Sequence, residues 1–331
     1  MKKTLVDLFE ESVRNYPNNT FLLEKTSKKY TPTTYAQVQK QVYRIGAGLQ
    51  ALGVQKGDTM ALLSEGRNMW VMGELGMFYA GAVNVPLSIK LEESNDLLFR
   101  LLHGDVKYVM VSGTQLGKIR AIKDKLTLVE KVIVFDAQQT YEEKEMSLDE
   151  LLQMGDDFLS SHTEEEFLRV ARSIQNDDYA TITYTSGTTA DPKGVVLTHR
   201  NYTANVEQGA SVIQCRKGDV MLIILPLDHC FAHVAGFYTM MSYGGSIATV
   251  PVGKTAIATL KNIPIAIKEV RPMLMLSVPA LARNFRKSIE TSIKAKGKTV
   301  ERLYEFALNN AIQYNKEYWN RGGWQAWRWP L

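Results

Sequence analysis

Eleven consecutive residues, Tyr184-Thr185-Ser186-Gly187-Thr188-Thr189-Ala190-Asp191-Pro192-Lys193-Gly194, concentrate five hydroxyls, two glycines and one lysine. A β-prone run over 179–184 leads in, and Val195-Val196-Leu197 leads out, so the stretch reads as strand, loop, strand. Backbone N–H groups, aliphatic hydroxyls and a cation in so short a span suit a polyphosphate. Pro192 stands where a Walker A loop wants its second glycine, so this is a different phosphate loop. The same residue types also build ordinary surface turns. A second candidate is Leu225-Pro226-Leu227-Asp228-His229-Cys230-Phe231, where a strand runs out ahead of a helix. Ligands of open α/β sheets collect beyond such strand ends, and the imidazole of His229 can offer a hydrogen bond or a charge to an anion. The other histidines carry weaker expectations. His199 makes structural hydrogen bonds, His103 ends a helix, His162 lies in a polar connection and His233 faces the pocket. No His/Cys/Asp spacing suggests zinc, and no G-x-S-x-G elbow supports hydrolase chemistry.

With its continuation Val195-Val196-Leu197-Thr198-His199-Arg200-Asn201, the first stretch resembles the phosphate-loop signature of the adenylate-forming superfamily. That superfamily comprises acyl- and aryl-CoA synthetases, luciferases and peptide-synthetase adenylation domains. Residues Leu225 to His229 resemble its L-P-L-x-H motif, and Gly76 to Leu87 an early core segment. The resemblance implies activation of a carboxylate by ATP as an acyl-adenylate, with release of pyrophosphate and transfer to a thiol. It makes Thr185, Ser186, Gly187, Thr188, Thr189 and Lys193 the ATP-phosphate set, with Lys193 neutralising the leaving pyrophosphate. Thr185 becomes a Mg2+ ligand, His229 a second catalytic residue beside Lys193, and His229 with Phe231 walls of the acyl pocket.

Leu276 to Phe285, with Val278-Pro279 and Phe285 at the matching positions, resembles a stretch of the long-chain acyl-CoA synthetases. The basic helical run from Lys287 to Asn320 resembles their insertion. The expected activity is therefore that of a long-chain-fatty-acid–CoA ligase using ATP, Mg2+ and CoA. Two alternatives stand beside it: a ligase for an aryl or amino acid, which Asp228 keeps open, and a non-catalytic acyl-binding fragment. No Tyr-Gly-x-Thr-Glu, later ribose-binding aspartate or small domain with an adenylation lysine is found in the 331 residues. The chain is accordingly expected to be a truncated N-terminal portion, inactive or nearly so alone, with its tryptophan-rich end (residues 324–329) an interrupted fold or a membrane-interface contact.

The elements that must position these residues alternate. Apolar runs at 59–64, 82–87, 106–112 and 131–135 are separated by helical periods at 67–79, 92–102 and 115–125. After the phosphate loop, helices at 201–213, 231–243, 255–269 and 279–293 alternate with strands at 219–225, 246–250 and 273–277. A helix at 5–16, a hairpin at 21–30 and an amphipathic helix from Tyr35 to Leu52, capped by Thr34 and stopped by Gly53, precede them. The expected fold is α/β: two similar, mostly parallel sheets with flanking helices, as in an acyl-CoA synthetase N-terminal domain. Residues 1–178 are expected to form a first subdomain ending in an acidic connection (137–178), and residues 179–331 a second. The connection carries twelve Asp or Glu against three Lys or Arg, and reads as a solvated stretch with short helices.

A net charge of +4 over 331 residues argues against nucleic acid as a partner. Two cysteines without C-x-x-C spacing fit a reduced, cytoplasmic protein, and no run approaches the ~18 apolar residues of a membrane span. Peripheral contact at the inner face of a membrane and oligomer formation stay open.

Overall fold

The computed structural model describes residues 3–92, 96–185, 192–212, 215–253 and 255–316. They build two sheets. The larger has seven strands in the order β7-β6-β5-β3-β4-β8-β9, formed by Glu145–Ser147, Lys131–Val134, Tyr108–Val111, Thr59–Leu63, Val83–Leu87, Tyr179–Tyr184 and Gly194–Thr198. The smaller has five, in the order β12-β10-β11-β1-β2, formed by Leu274–Leu276, Val220–Ile223, Ser246–Thr249, Thr20–Lys25 and Tyr30–Thr34. In each sheet every pairing is parallel except one antiparallel hairpin at an edge, β8–β9 and β1–β2. The expected architecture of two similar, mostly parallel sheets is therefore what forms.

Membership of the sheets is interleaved along the chain. The first hairpin joins the later strands through β1–β11, with Leu22 opposite Ile247, whereas the strands bracketing the phosphate loop join the earlier sheet through β4–β8. Burial on both faces is why the central strands read as continuous apolar runs rather than alternating ones. On β3, Met60 and Leu62 enter one core while Ala61 and Leu63 enter the other. Tyr108 and Met110 of β5 alternate in the same way with Val109 and Val111. The first core is shared by both sheets and by helices α1 (Leu5–Asn15), α2 (Tyr35–Ala51) and α3 (Asn68–Tyr79). The second lies under α4 (Leu98–His103) and α5 (Leu116–Ile122).

Local signals place the helices. Thr34 caps α2 in a reciprocal box with Gln37, and Gly53 beyond its end takes φ +99°, a left-handed geometry open to glycine. The acidic stretch is more than a solvated connection. Its helices α6 (Leu148–Ser161) and α7 (Glu164–Arg172) start in capping boxes on Ser147 and Thr163. They bury Leu151, Leu152, Gly155, Phe167 and Leu168, while their carboxylates face outward: a spacing of three and four gives an acidic segment an apolar underside. The segment expected to be a helix from 231 to 243 is instead a π-helical turn, Ala232–Tyr238, running into α9 (Thr239–Ser242). Helix α8 (His199–Val212) follows β9, and α10 (Ala256–Val270) follows β11.

The chain divides into two compact units, residues 1–276 and 277–331. The described part of the second is a pair of helices, α11 (Pro279–Lys294) and α12 (Lys298–Lys316). The helix expected over 279–293 forms as α11, the basic run expected from Lys287 to Asn320 is interrupted at Gly297 with φ +99°, and Pro279 opens α11 at a position where its missing N–H costs nothing. Among the described residues no helix is long and apolar enough to cross a membrane. The tryptophan-rich end, including Trp324, Trp327 and Trp329, lies outside the described residues.

Candidate functional site

The stretch expected to hold phosphate connects β8 to β9. Tyr184 pairs with Gly194 at its base, and the Thr185 N–H donates to the Lys193 carbonyl at 3.0 Å, so these two residues close the root of the loop. Both are exposed. Ser186, Gly187, Thr188 and Thr189 lie outside the described residues. The root is anchored from below: the Tyr184 hydroxyl lies 2.9 Å from His103 Nδ1 and donates to the Arg100 carbonyl at 3.3 Å. His103 is the last residue of α4, as its sequence position suggests, and stacks on Phe99. Burial raises the Tyr184 phenol, and the Arg100 guanidinium over its ring opposes that.

The second motif leaves the carboxyl end of β10. Leu227 is buried and turns the chain, while His229 and Phe231 are exposed. The His229 N–H donates to the Pro226 carbonyl at 3.1 Å, and the Phe231 N–H to His229 Nδ1 at 3.3 Å. Phe231 keeps 49% of its surface exposed. Burial pushes the Asp228 carboxyl up, against the pull of its own backbone hydrogen bond, His229, His233 and Lys90. Lys90 belongs to the loop after β4, the strand that neighbours β8.

The carboxyl ends of both sheets therefore meet here. A Cβ placed on Gly66, just after β3, would stand 3.8 Å from Leu227 and 3.9 Å from Thr249 at the end of β11. Strand β8 runs parallel to β4, and β4 to β3, so it ends on this same edge, a rim at the address expected of ligands in open α/β sheets.

Behind the rim lies a polar cluster that motif reading missed. Glu74 of α3 and His233 are fully buried and paired at 2.7 Å. His233 thus faces the protein interior and not a pocket, ringed by Trp70, Tyr202, Phe237 and Tyr238. One signal could have found it. Beyond its first residue, Asn68, α3 carries one charged side chain, Glu74, and a lone carboxylate in a buried helix must have partners.

His199 is the structural residue its position suggested. It opens α8, accepts from the Leu5 N–H at 3.3 Å and packs edge-on against Phe78. Burial lowers its pKa to about 4, opposed by Asp178, Asp7 and Glu74. The unfolded chain takes up a proton near pH 6.5 while the folded chain does not until about pH 4. Stability is therefore fully present above pH 6.5 and is lost as pH falls toward 4, by about 3 kcal/mol. Urea unfolding between pH 7 and 4.5 should show this decline. The difference curve against His199→Gln isolates it, and parallel curves for the two proteins would refute the assignment.

The profile of the family described as AMP-binding enzyme matches residues 9–313. A long-chain-fatty-acid–CoA ligase of Xenopus laevis is 25% identical over 307 residues, which is 90% of this chain and 40% of that protein. The long-chain-fatty-acid–CoA ligase FadD15 of Mycobacterium bovis is 27% identical over 300 residues, 89% of this chain and 46% of its own length. Among solved structures, the inhibitor-bound N-terminal domain of FACL13 from Mycobacterium tuberculosis superposes with a TM-score of 0.68 at 25% identity, covering 86% of this chain and 65% of that one. The chain thus spans less than half the length of these curated relatives.

Proposed function

This chain belongs to the AMP-binding enzyme family, and we propose that it forms the phosphate- and acyl-handling part of a long-chain-fatty-acid–CoA ligase. The observation that carries the reading is the shared rim, with Thr185 and Lys193 closing one loop and His229 with Phe231 exposed on the other. In the reaction a fatty-acid carboxylate oxygen attacks the α-phosphorus of ATP. The α–β bond breaks, pyrophosphate leaves with its electron pair, and an acyl-adenylate remains. The CoA thiol then attacks the acyl carbonyl, loses its proton and expels AMP.

Each step needs charge held in place more than it needs covalent help. Lys193, exposed at the loop root, neutralises the departing pyrophosphate. His229, on its hydrogen-bonded turn, donates to the oxygens around the α-phosphorus as charge builds there. The hydroxyls of Ser186, Thr188 and Thr189 and the N–H groups near Gly187 hold the β- and γ-phosphates. Mg2+ takes about six oxygens, most of them from phosphate and water, so the single exposed hydroxyl of Thr185 fits as one ligand among these and not as a site by itself. Among the described residues no group of three or more His, Cys, Asp or Glu side chains could hold the ion alone. When bound, the ion would supply positive charge against the phosphates, with Thr185 as one of its holders. Phe231, with 49% of its surface exposed, is free to line an acyl chain in this reading.

The chain alone should bind but turn over little. The glutamate, ribose-binding aspartate and adenylation lysine implied by the family resemblance have no recognisable counterpart in its residues. Calorimetry with hydrolysis-resistant acyl-sulfamoyl adenosines tests this. The palmitoyl compound should bind at least ~10-fold more tightly than the acetyl, benzoyl or phenylalanyl ones, because each buried methylene contributes about 0.8 kcal/mol. Palmitate-dependent exchange of pyrophosphate into ATP should stay far below that of an intact ligase. Tighter binding of the benzoyl or phenylalanyl compound would replace the substrate class, and palmitate binding without any effect of adenosine would replace catalysis with acyl carriage.

A further inference from the structure

One buried carboxylate joins the two motif-bearing segments. Oε2 of Glu74 accepts from His233 Nε2 at 2.7 Å and from the Tyr238 hydroxyl at 2.9 Å, and Oε1 accepts from Asn84 Nδ2 at 2.7 Å. His233 and Tyr238 are the second and last residues of the π-helical turn Ala232–Tyr238, so a single side chain grips that turn at both ends. Such turns are rare and are frequently found at functional positions. The His229 segment hangs from this one: the His233 N–H donates to the His229 carbonyl at 3.1 Å.

The same carboxylate reaches the phosphate-loop strand by two routes. Asn84, its third partner, is the β4 residue in register with Thr181 of β8. Tyr202 of α8, whose ring packs 5.3 Å from that of Tyr238 and 5.2 Å from that of His233, pairs with Thr181 at 2.8 Å. Strand β8 ends only a few residues later, at the loop root. Stability alone does not call for such a construction. A buried ionic group flanked by apolar neighbours is often matched or beaten by a hydrophobic side chain of the same size, so what three directed hydrogen bonds add is geometry.

We propose that Glu74 is a positioning residue: by holding both ends of the π-helical turn and the β4–β8 pairing, it sets where His229 stands and couples that turn to β8, the strand that leads to Thr185. The purpose of the coupling rests on the function proposed above, whereas the positioning does not.

Selective 13C labelling of histidine in the full chain gives at most five Cε1 signals, one per histidine, each assigned by a single His→Gln replacement. In Glu74→Gln, which keeps the shape but turns an acceptor into a donor, the His229 signal should move or broaden. His162, stacked on Phe158 at the end of α6, should not. Addition of MgATP should shift the His229 signal of the wild-type chain, and that shift should fall to less than half in the variant. Tyr238→Phe removes only one donor and should give a smaller displacement. It stands as the test should Glu74→Gln fail to fold by circular dichroism. A His229 signal that coincides with wild type in a folded variant overturns the proposal. If MgATP moves no histidine signal in the wild type, the functional reading of the rim falls, and the ligand-free comparison still decides Glu74.

Discussion

Gly155→Ala lowers the unfolding free energy by about 3 kcal/mol or more, the largest loss expected from adding one carbon to this protein. Gly155 sits where α6 crosses α2, and a Cβ there would lie 2.0 Å from the Arg44 carbonyl oxygen and 2.8 Å from its carbon. Those atoms are helix backbone and have no rotamer to change, so the helices must part. The contact is reciprocal, since a Cβ on Gly48 of α2 would meet the Leu151 carbonyl of α6 at 2.3 Å. Parting the helices also loosens the paired hydrogen bonds from Arg44 to Asp156, 2.7 and 2.5 Å, that flank the crossing. Urea unfolding should show a lower midpoint at unchanged slope. The control is Gly117→Ala in α5, where an added carbon meets nothing within 4 Å. Relief from glycine's helix penalty should make that change neutral or stabilising by up to ~1 kcal/mol. Equal effects at both sites would mean that the α2–α6 contact is not close-packed.

Lys193→Ala should weaken MgATP binding about 10- to 100-fold, the loss expected when a charge-assisted hydrogen bond worth ~1.5–3 kcal/mol is removed. The side chain is exposed and it is the backbone carbonyl of Lys193 that closes the loop root, so the melting temperature should not change. This separation makes the experiment decisive for the proposed function. Calorimetric titration with MgATP reads the affinity and a thermal melt reads the fold. An unchanged affinity would remove Lys193 from the phosphate set, and a large drop in melting temperature would make it structural.

Elements marked by short-range chemistry are legible in the sequence. Thr34 before an apolar period of three and four, with Gly53 after it, sets the bounds of α2, because capping and left-handed stops depend on a few neighbouring residues. Continuous apolar runs at β3 and β5 announce strands buried on both faces. The break at Gly297 is less visible, since a basic amphipathic period continues across it. The acidic stretch misleads for a related reason: its charge dominates the composition, while Leu151, Leu152 and Phe167 on the underside decide the packing.

The site divides in the same way. Local sequence is enough to mark the family, because its motifs at 184–194 and 225–231 are particular residue types at fixed spacing. Sequence also determined the α/β class, since helical and strand periods are local properties. Only the tertiary structure decided that the first hairpin completes the second sheet and that β8 and β9 complete the first, because strand pairing is settled between residues far apart in the chain. It alone turned His233 inward onto Glu74, 159 residues away, and left His229 outward four positions earlier. Which of two neighbouring histidines meets solvent depends on a buried carboxylate from another helix, and no local spacing encodes that partner.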